Sequence, residues 1–343
     1  MKVDSTNFER VIESADRIAI LGHVNPDGDS VGCTTALFHF LNHIGKHPTM
    51  MLPGSYPVNL RFLDNARDPG NRIIIDTDDH EKACDAIRNA DAIICLDMRS
   101  LSRTGGLESE IEASGAVKVL IDHHLNPASE QFDFVYSMTE ISSACELLFW
   151  ILMNLSYISG KVKKLQMDVA RSLYTGMMTD TNNFANSVFP STFEMASLLI
   201  ARGVDKDRLQ SNVLSSFSYH RMKLMGHLLK DRMHLVKGTS AAYMILSEKD
   251  KMSYRYRQGD NEGFVNLPLQ IRSVKLSALF TEDFTTGQIR VSLRSKGNVD
   301  VNAFAKEYFN GGGHKNAAGG RLSIPLEELP AYFESSLKKF FKA

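Results

Sequence analysis

With 343 residues and a net charge of −1, from 39 Lys and Arg against 40 Asp and Glu, the chain has room for about two domains. It has no cationic excess with which to hold long nucleic acid by charge alone. Its 43% hydrophobic and 23% charged content is that of an ordinary globular protein and excludes disordered and collagen-like chains. The longest apolar runs stop far short of the ~20 residues a bilayer span needs. The polar first ten residues lack the apolar stretch of a signal peptide, so the expected location is the cytoplasm, away from any membrane. Cys33, Cys84, Cys95 and Cys145 are too widely spaced for a metal knuckle and read as reduced, buried thiols.

Taken in chain order, β-branched runs at 17–21, 72–75, 92–96, 117–121 and 132–136 alternate with helical patterns at 31–43, 82–89 and 142–154, the last preceded by Thr139 as an N-cap. That rhythm predicts an α/β domain over 1–204, a parallel sheet with helices on both faces. The apolar pattern at 169–178 ends at Asp180, where Asp-Thr-Asn-Asn breaks the helix. Ser191 and Glu194 then have the spacing of a capping box, for a helix that Gly203 ends. A long helical pattern over 207–235 predicts a connector, assigned to 205–235. From 236 to 343 the grammar changes to period two, at 241–246, 275–280 and 289–293. A helix at 301–309, a glycine-rich turn at 311–314, a strand at 317–324 and a helix at 326–341 complete a smaller α+β domain.

Three of the expected strands lead directly into metal-type ligands. The first runs into His23, Asp27 and Asp29, the third into Asp97, and the fourth into Asp122, His123 and His124. Ligands of open parallel sheets bind beyond the carboxyl ends of the strands, so these clusters are expected to meet in one crevice, with Asp180 as a fourth contributor. Each piece has a plainer reading: Asn25-Pro26-Asp27-Gly28 has the composition of a turn, and a lone histidine after a strand is most often a core residue. Four such coincidences at element ends favour the joint reading. His23, Asp27, Asp29, Asp97, His123 and Asp180 supply four carboxylates and two imidazoles, enough for two divalent ions if one carboxylate bridges. The oxygen-rich set suits Mn²⁺, with Mg²⁺ or Co²⁺ as substitutes. Two such ions lower the pKa of a water and clamp the attacking and leaving oxygens of a phosphoryl transfer, so metal-assisted phosphoester hydrolysis is the expected chemistry.

In the second domain Arg294 closes a strand and can fork onto a phosphate. Gly311, Gly312 and Gly313 can bring backbone N–H groups near an anion, with His314 as a further donor, although such a run by itself reads as a flexible turn. Tyr254-Arg255-Tyr256-Arg257 alternates aromatics and cations, as a base-stacking strand would, or as one solvated strand face.

His23-x3-Asp27-x-Asp29, Asp97, Asp122-His123-His124 and Asp180-Thr181 resemble, in order, the four motifs of the DHH phosphoesterase superfamily. Arg294-Ser295 and Gly311-Gly312-Gly313-His314, with Ala317-Ala318-Gly319 after them, resemble its DHHA1 domain. The resemblance covers nearly the whole chain and is nearest to the two-domain oligoribonuclease and pAp phosphatase (nano-RNase) kind. It implies that His23, Asp27 and Asp97 hold one Mn²⁺ and that Asp29, Asp97, His123 and Asp180 hold the other, with Asp97 bridging. It implies that His124 faces the scissile phosphate, that Asp122 orients the histidine pair, and that Arg103, Arg294, Ser295, Gly311, Gly312, Gly313 and His314 contact substrate in a cleft between the domains. The implied substrates are RNA of a few nucleotides, linear di-adenylate, pAp and cyclic di-AMP; the resemblance also leaves room for a homodimer. Asn182-Asn183 and Ala185 depart from the family's fourth motif, beside the phosphate pocket, and bear on substrate preference. Two rivals stand. An inorganic pyrophosphatase or exopolyphosphatase is opposed by Ser292-Leu-Arg294-Ser295, where the pyrophosphatases carry a Ser-Arg-Lys-Lys cluster. A silent nucleotide-binding module is opposed by the presence of all six ligand positions.

Overall fold

The computed structural model describes residues 1–63, 73–214 and 217–341; the expected strand start at position 72 lies outside the described residues. The chain divides into two compact units, 1–216 and 217–343.

In the first unit β1 (Arg17–Leu21), β2 (His47–Leu52), β3 (Ile73–Ile75), β4 (Ala92–Leu96), β5 (Val117–Asp122) and β6 (Phe134–Ser137) form a parallel sheet of order β3-β2-β1-β4-β5-β6. Its strands are apolar on both sides because both sides are covered. Ile18 and Ile20 of β1 join the core that includes the helices Thr6–Ser14, Gly28–His43, Ala144–Asn154 and Met167–Asp180. Ala19 and Leu21 join the opposite core with the helices His80–Arg88 and Glu108–Ala113. The sequence reading has no counterpart to β2: His47, Pro48 and Thr49 followed by two methionines carry little β signal, and the strand is fixed by pairing with β1 and β3. The strand order reverses between β1 and β4, which opens a crevice beyond their carboxyl ends.

Local starts and stops differ from expectation in three places. The helix Ala144–Asn154 is capped by Ser143, whose hydroxyl accepts from Glu146 N–H at 3.0 Å, and Thr139 lies too far upstream to serve. Pro190 sets the next start one residue ahead of Ser191; Thr192, instead of Glu194, reaches back to Phe189 N–H at 3.0 Å, and Gly203 (φ 112°) ends the helix as expected. The expected helix at 207–235 is several elements, Lys206–Leu214, Tyr219–His227 and a π turn at Leu228–Arg232, followed by β7 (Met233–Leu235). Ser218 restarts the helix by accepting from Arg221 N–H; positions 215–216 of the expected helix lie outside the described residues.

In the second unit β7, β8 (Ala241–Leu246), β9 (Leu276–Asp283), β10 (Gln288–Ser295), β11 (Gly312–His314) and β12 (Ala317–Leu322) form a mixed sheet of order β11-β12-β10-β9-β8-β7, parallel only between β8 and β9. One face packs on the helices Val301–Tyr308 and Leu329–Phe340 through Phe280, Val291, Leu293, Phe304 and Phe333. The expected glycine turn is instead mostly the strand β11. A Cβ on Gly311 would stand 1.9 Å from the Gly319 carbonyl oxygen, so the glycine run is needed for the close approach to β12. Tyr254-Arg255-Tyr256-Arg257 is not a strand: Arg255 sits at φ 49° after the helix Glu248–Ser253, and the Tyr256 hydroxyl donates to Asn261 Oδ1 at 2.8 Å.

Candidate metal centre

β1 delivers His23 and the loop that leads into the Gly28–His43 helix. Asp27 caps that helix, accepting from Asp29 N–H and Ser30 N–H at 3.1 Å each, so the turn composition of this stretch serves a helix start and leaves the Asp27 carboxylate at the crevice. Asp29 is buried, and its carboxylate accepts from Ala144 N–H at 2.6 Å and Cys145 N–H at 2.9 Å, at the start of the Ala144–Asn154 helix. A helix N-terminus favours negative charge there. This anchor, 115 residues away in sequence, has no signature in the sequence; the Ser142-Ser143 pair ahead of an apolar run is the one local sign of a helix start. The Met167–Asp180 helix ends with Asp180 in the crevice. It approaches so closely that a Cβ on Gly176 would lie 2.2 Å from Cys145 Sγ and 2.9 Å from Asp29 Oδ1.

Asp97 follows β4 with a left-handed backbone (φ 58°), a conformation that aspartate accepts more readily than most residues. Its Oδ2 is 3.2 Å from His23 Nε2 and its Oδ1 is 3.4 Å from His123 Nε2, so the two oxygens address two different imidazoles. His23 Nε2 is also 3.8 Å from Asp27, while His123 Nε2 is 3.8 Å from Asp29 and 3.7 Å from Asp180. Three sets of donor atoms result, each within 4.8 Å of one another: His23 with Asp27 and Asp97, Asp29 with His123 and Asp180, and Asp97 with His123 and His124; the first two share no residue. Hard carboxylate oxygens with a minority of imidazoles in two adjoining sets are a donor chemistry that fits a pair of divalent cations. His23 Nδ1 lies 2.8 Å from the Val24 carbonyl; with its proton donated there, Nε2 is left to ligate.

His124 is the more exposed of the histidine pair. Its Nδ1 is 2.6 Å from Asp122 Oδ1, and Asp122 is fully buried. Asp122 thus fixes His124 directly, and the His124 ring lies 4.6 Å, centroid to centroid, from that of His123. Arg103 reaches the same crevice, its guanidinium 3.1 Å from His23 Nδ1.

Burial opposes charge on both His23 and His123. The bond to Asp97 and the nearby carboxylates outweigh it, raising His23 to about 9 and His123 to about 10. Burial also works against the Asp97 carboxylate, yet bonds from His123 and His23 hold it well below the ordinary carboxylate range. Asp29 moves the other way, well above that range, through burial and the charges of Asp97 and Asp180. A cation entering this centre displaces protons, so its binding is tied to pH.

In the second unit Arg294 and His314 both stand opposite Ala317, Arg294 from β10 and His314 from β11. Cross-strand partners share a face, so the two side chains rise from one side of the sheet with a methyl group between them. Gly312 opposes Gly319 in the adjoining row of that face, whereas Gly311 and Gly313 meet β12 through their backbone. Ser295 lies on the other face, its hydroxyl donating to the Val299 carbonyl at 2.6 Å and accepting from Asn316 at 2.8 Å.

Residues 17–177 match the family model described as DHH family, N-terminal domain, and residues 239–342 match the DHHA1 domain. Over 333 residues the chain is 28% identical to the probable bifunctional oligoribonuclease and PAP phosphatase NrnA of Streptococcus mutans, covering 96% of this chain and 97% of that protein. Over 331 residues it is 27% identical to the bifunctional oligoribonuclease and PAP phosphatase NrnA of Bacillus subtilis, covering 92% and 93%. The crystal structure of an exopolyphosphatase-related protein from Bacteroides fragilis superposes with a TM-score of 0.89 at 36% identity, over 98% of this chain and 96% of that one.

Proposed function

The chain belongs to the DHH family and is a phosphoesterase, and from that premise we propose that it hydrolyses short oligoribonucleotides and pAp, using two Mn²⁺ ions in the first unit. The observation that carries this reading is Asp97, whose two oxygens each face one histidine of a separate donor set. In this reading His23, Asp27 and Asp97 hold one ion and Asp29, Asp97, His123 and Asp180 the other, with Mg²⁺ or Co²⁺ as substitutes. When bound, such ions supply Lewis acidity and a water of lowered pKa at the scissile phosphate.

The chain's own groups do the remaining work. His124, its Nδ1 proton donated to Asp122, presents Nε2 to a phosphate oxygen or to the departing alkoxide. Arg103 adds a fork of donors beside His23. Arg294 and His314, sharing one sheet face, hold a phosphate of the substrate away from the bond being cut, with Gly312 alongside them. Ser295 supports that strand end through Val299 and Asn316. Among the described residues no helix is long and apolar enough to cross a membrane, and all four cysteines are free and buried, which supports action in the cytoplasm.

A second reading, an exopolyphosphatase, is favoured by the name of the Bacteroides fragilis protein. Rates on linear di-adenylate, pAp, cyclic di-AMP, pyrophosphate and a short polyphosphate, each with Mn²⁺ and with chelator, separate the two. Mn²⁺-dependent turnover of di-adenylate and pAp is expected. Turnover confined to the inorganic substrates would replace the first reading with the second.

A further inference from the structure

The face of the second sheet that carries Arg294 and His314 continues along the strands. Its partner residues in β10 and β12 are Arg294 opposite Ala317, Ser292 opposite Gly319, and Arg290 opposite Arg321. Over β8 and β9 this face is covered by a core that includes Leu224, Met244, Phe264 and Leu279. Over β10 and β12 it presents two exposed arginines at one end, Arg294 at the other, and a floor of Ser, Ala and Gly between them.

The last pair is the unusual one. Like charges directly opposite one another in an antiparallel pair destabilise a sheet, and such a pair is ordinarily offset by neighbouring carboxylates. Neither Arg290 nor Arg321 has a carboxylate partner among the described residues. The β9 residue in the same row is a neutral Thr281. Arg321 is held in place through its backbone, its N–H donating to the Phe309 carbonyl at 2.7 Å. Burial raises the Tyr256 phenol, and the Arg290 charge works against that rise. Two unneutralised guanidiniums on a floor of small residues make a position that a phosphate diester satisfies, since each can fork onto anionic oxygens.

We infer that Arg290 and Arg321 form a second phosphate position on the sheet face of Arg294 and His314, taking a further phosphate of the same oligonucleotide. The inference rests on the reading of the chain as a nuclease of short RNA and adds to it a reason for length preference. Four residues of β10 separate Arg290 from Arg294, about 13 Å at ~3.3 Å per residue, so the two ends of the face can engage different phosphates of one strand. Dinucleotides and pAp would use the Arg294 end, and a strand of three to five nucleotides would use both.

The test is the double variant Arg290→Gln/Arg321→Gln in the full chain, which keeps the side-chain stems and removes both charges. Binding of 5′-fluorescent penta-adenylate is measured in chelator across a salt series. For a single strand, each phosphate left without its cation lowers the slope of log affinity against log salt by about 0.7, so losing this one position is expected to lower it by about 0.7. With metal restored, efficiency on the pentamer should fall about tenfold relative to efficiency on pAp. Melting temperature serves as the folding check and should hold or rise, because a like-charge pair has been removed. An unchanged salt slope in a folded double variant overturns the inference. If the slope falls as expected but the wild type hydrolyses neither pAp nor any oligonucleotide, the substrate reading fails and the anion-binding face stands. Equal losses on pAp and pentamer would overturn the assignment of the pair to a further phosphate.

Discussion

Charge at the crevice of the first unit is mixed in sign and tied to backbone: Asp29 is buried and held by two amides at a helix start, the exposed Asp27 caps another helix, and the buried Asp97 lies between two imidazoles. In the second unit Arg290 and Arg321 stand exposed and opposed on the sheet face that also carries Arg294, above small residues, and neither of the two has a carboxylate partner among the described residues. On the proposed reading the first arrangement takes cations and the second takes an anion. On that reading the difference divides the work of a phosphoesterase between a centre that performs chemistry and a surface that positions substrate.

The largest effect should come from the residue that joins the two donor sets. Asp97→Ala should lower turnover of di-adenylate more than about a hundredfold, since even removal of a residue supporting a metal ligand costs about 10–100-fold. The fold should persist by circular dichroism, because the two apolar cores around the sheet remain, although the metal-free protein gives up the stability of the bonds from His23 and His123 to Asp97. Full activity in a correctly folded Asp97→Ala would break the comparison at its base.

Next comes the histidine pair. His124→Ala should lower turnover by about 10²–10⁴ while leaving metal affinity largely intact, as expected of an acid–base group held by Asp122. His123→Ala should lose metal as well, because its Nε2 faces three carboxylates. Equal metal loss in both variants, read by titration, would mean that the pair is misassigned.

A smaller and more selective effect belongs to the second unit. Arg294→Ala should reduce efficiency on a dinucleotide about tenfold or more, the scale of one charge-assisted hydrogen bond, yet change little for an aryl phosphate diester that fills only the metal centre. Equal loss on both substrates would remove the second unit from recognition.

The mildest prediction concerns pH. In chelator, His23 and His123 carry raised pKa values of about 9 and 10 against an unfolded value near 6.5. Their bonds to Asp97 therefore contribute stability fully below about pH 6.5, and that contribution is lost as pH rises through 9 to 10. Melting temperature without metal should fall across that window, and Asp97→Ala should flatten the fall. A flat profile for the wild type would show that the imidazoles are not held charged by Asp97.

Much of this is written in the sequence because the site lies at strand ends. The continuous apolar runs of β1, β4 and β5 identify a buried parallel sheet, and the polar residues directly after them mark the crevice. Asp97 and His123 can be placed together on that logic alone. The parts that stay hidden depend on tertiary structure. β2 is a strand by pairing and not by composition, and the clasp of Asp29 by Ala144 and Cys145 spans 115 residues and leaves no local pattern. The break in the expected helix at 207–235 turns on one serine cap, and the glycine run reads as a turn until Gly311 is seen to need the space beside Gly319. The opposed Arg290 and Arg321 are visible only once the register of β10 and β12 is known.

The central claim is that Asp97 links two cation sites in the first unit, and the most direct measurement is the number of Mn²⁺ ions bound per chain by calorimetric titration at neutral pH, with proton release followed in parallel. Two ions are expected for the wild type, with protons released on binding, and at most one ion for Asp97→Ala. One ion in the wild type, or two ions bound as tightly by Asp97→Ala, would contradict it.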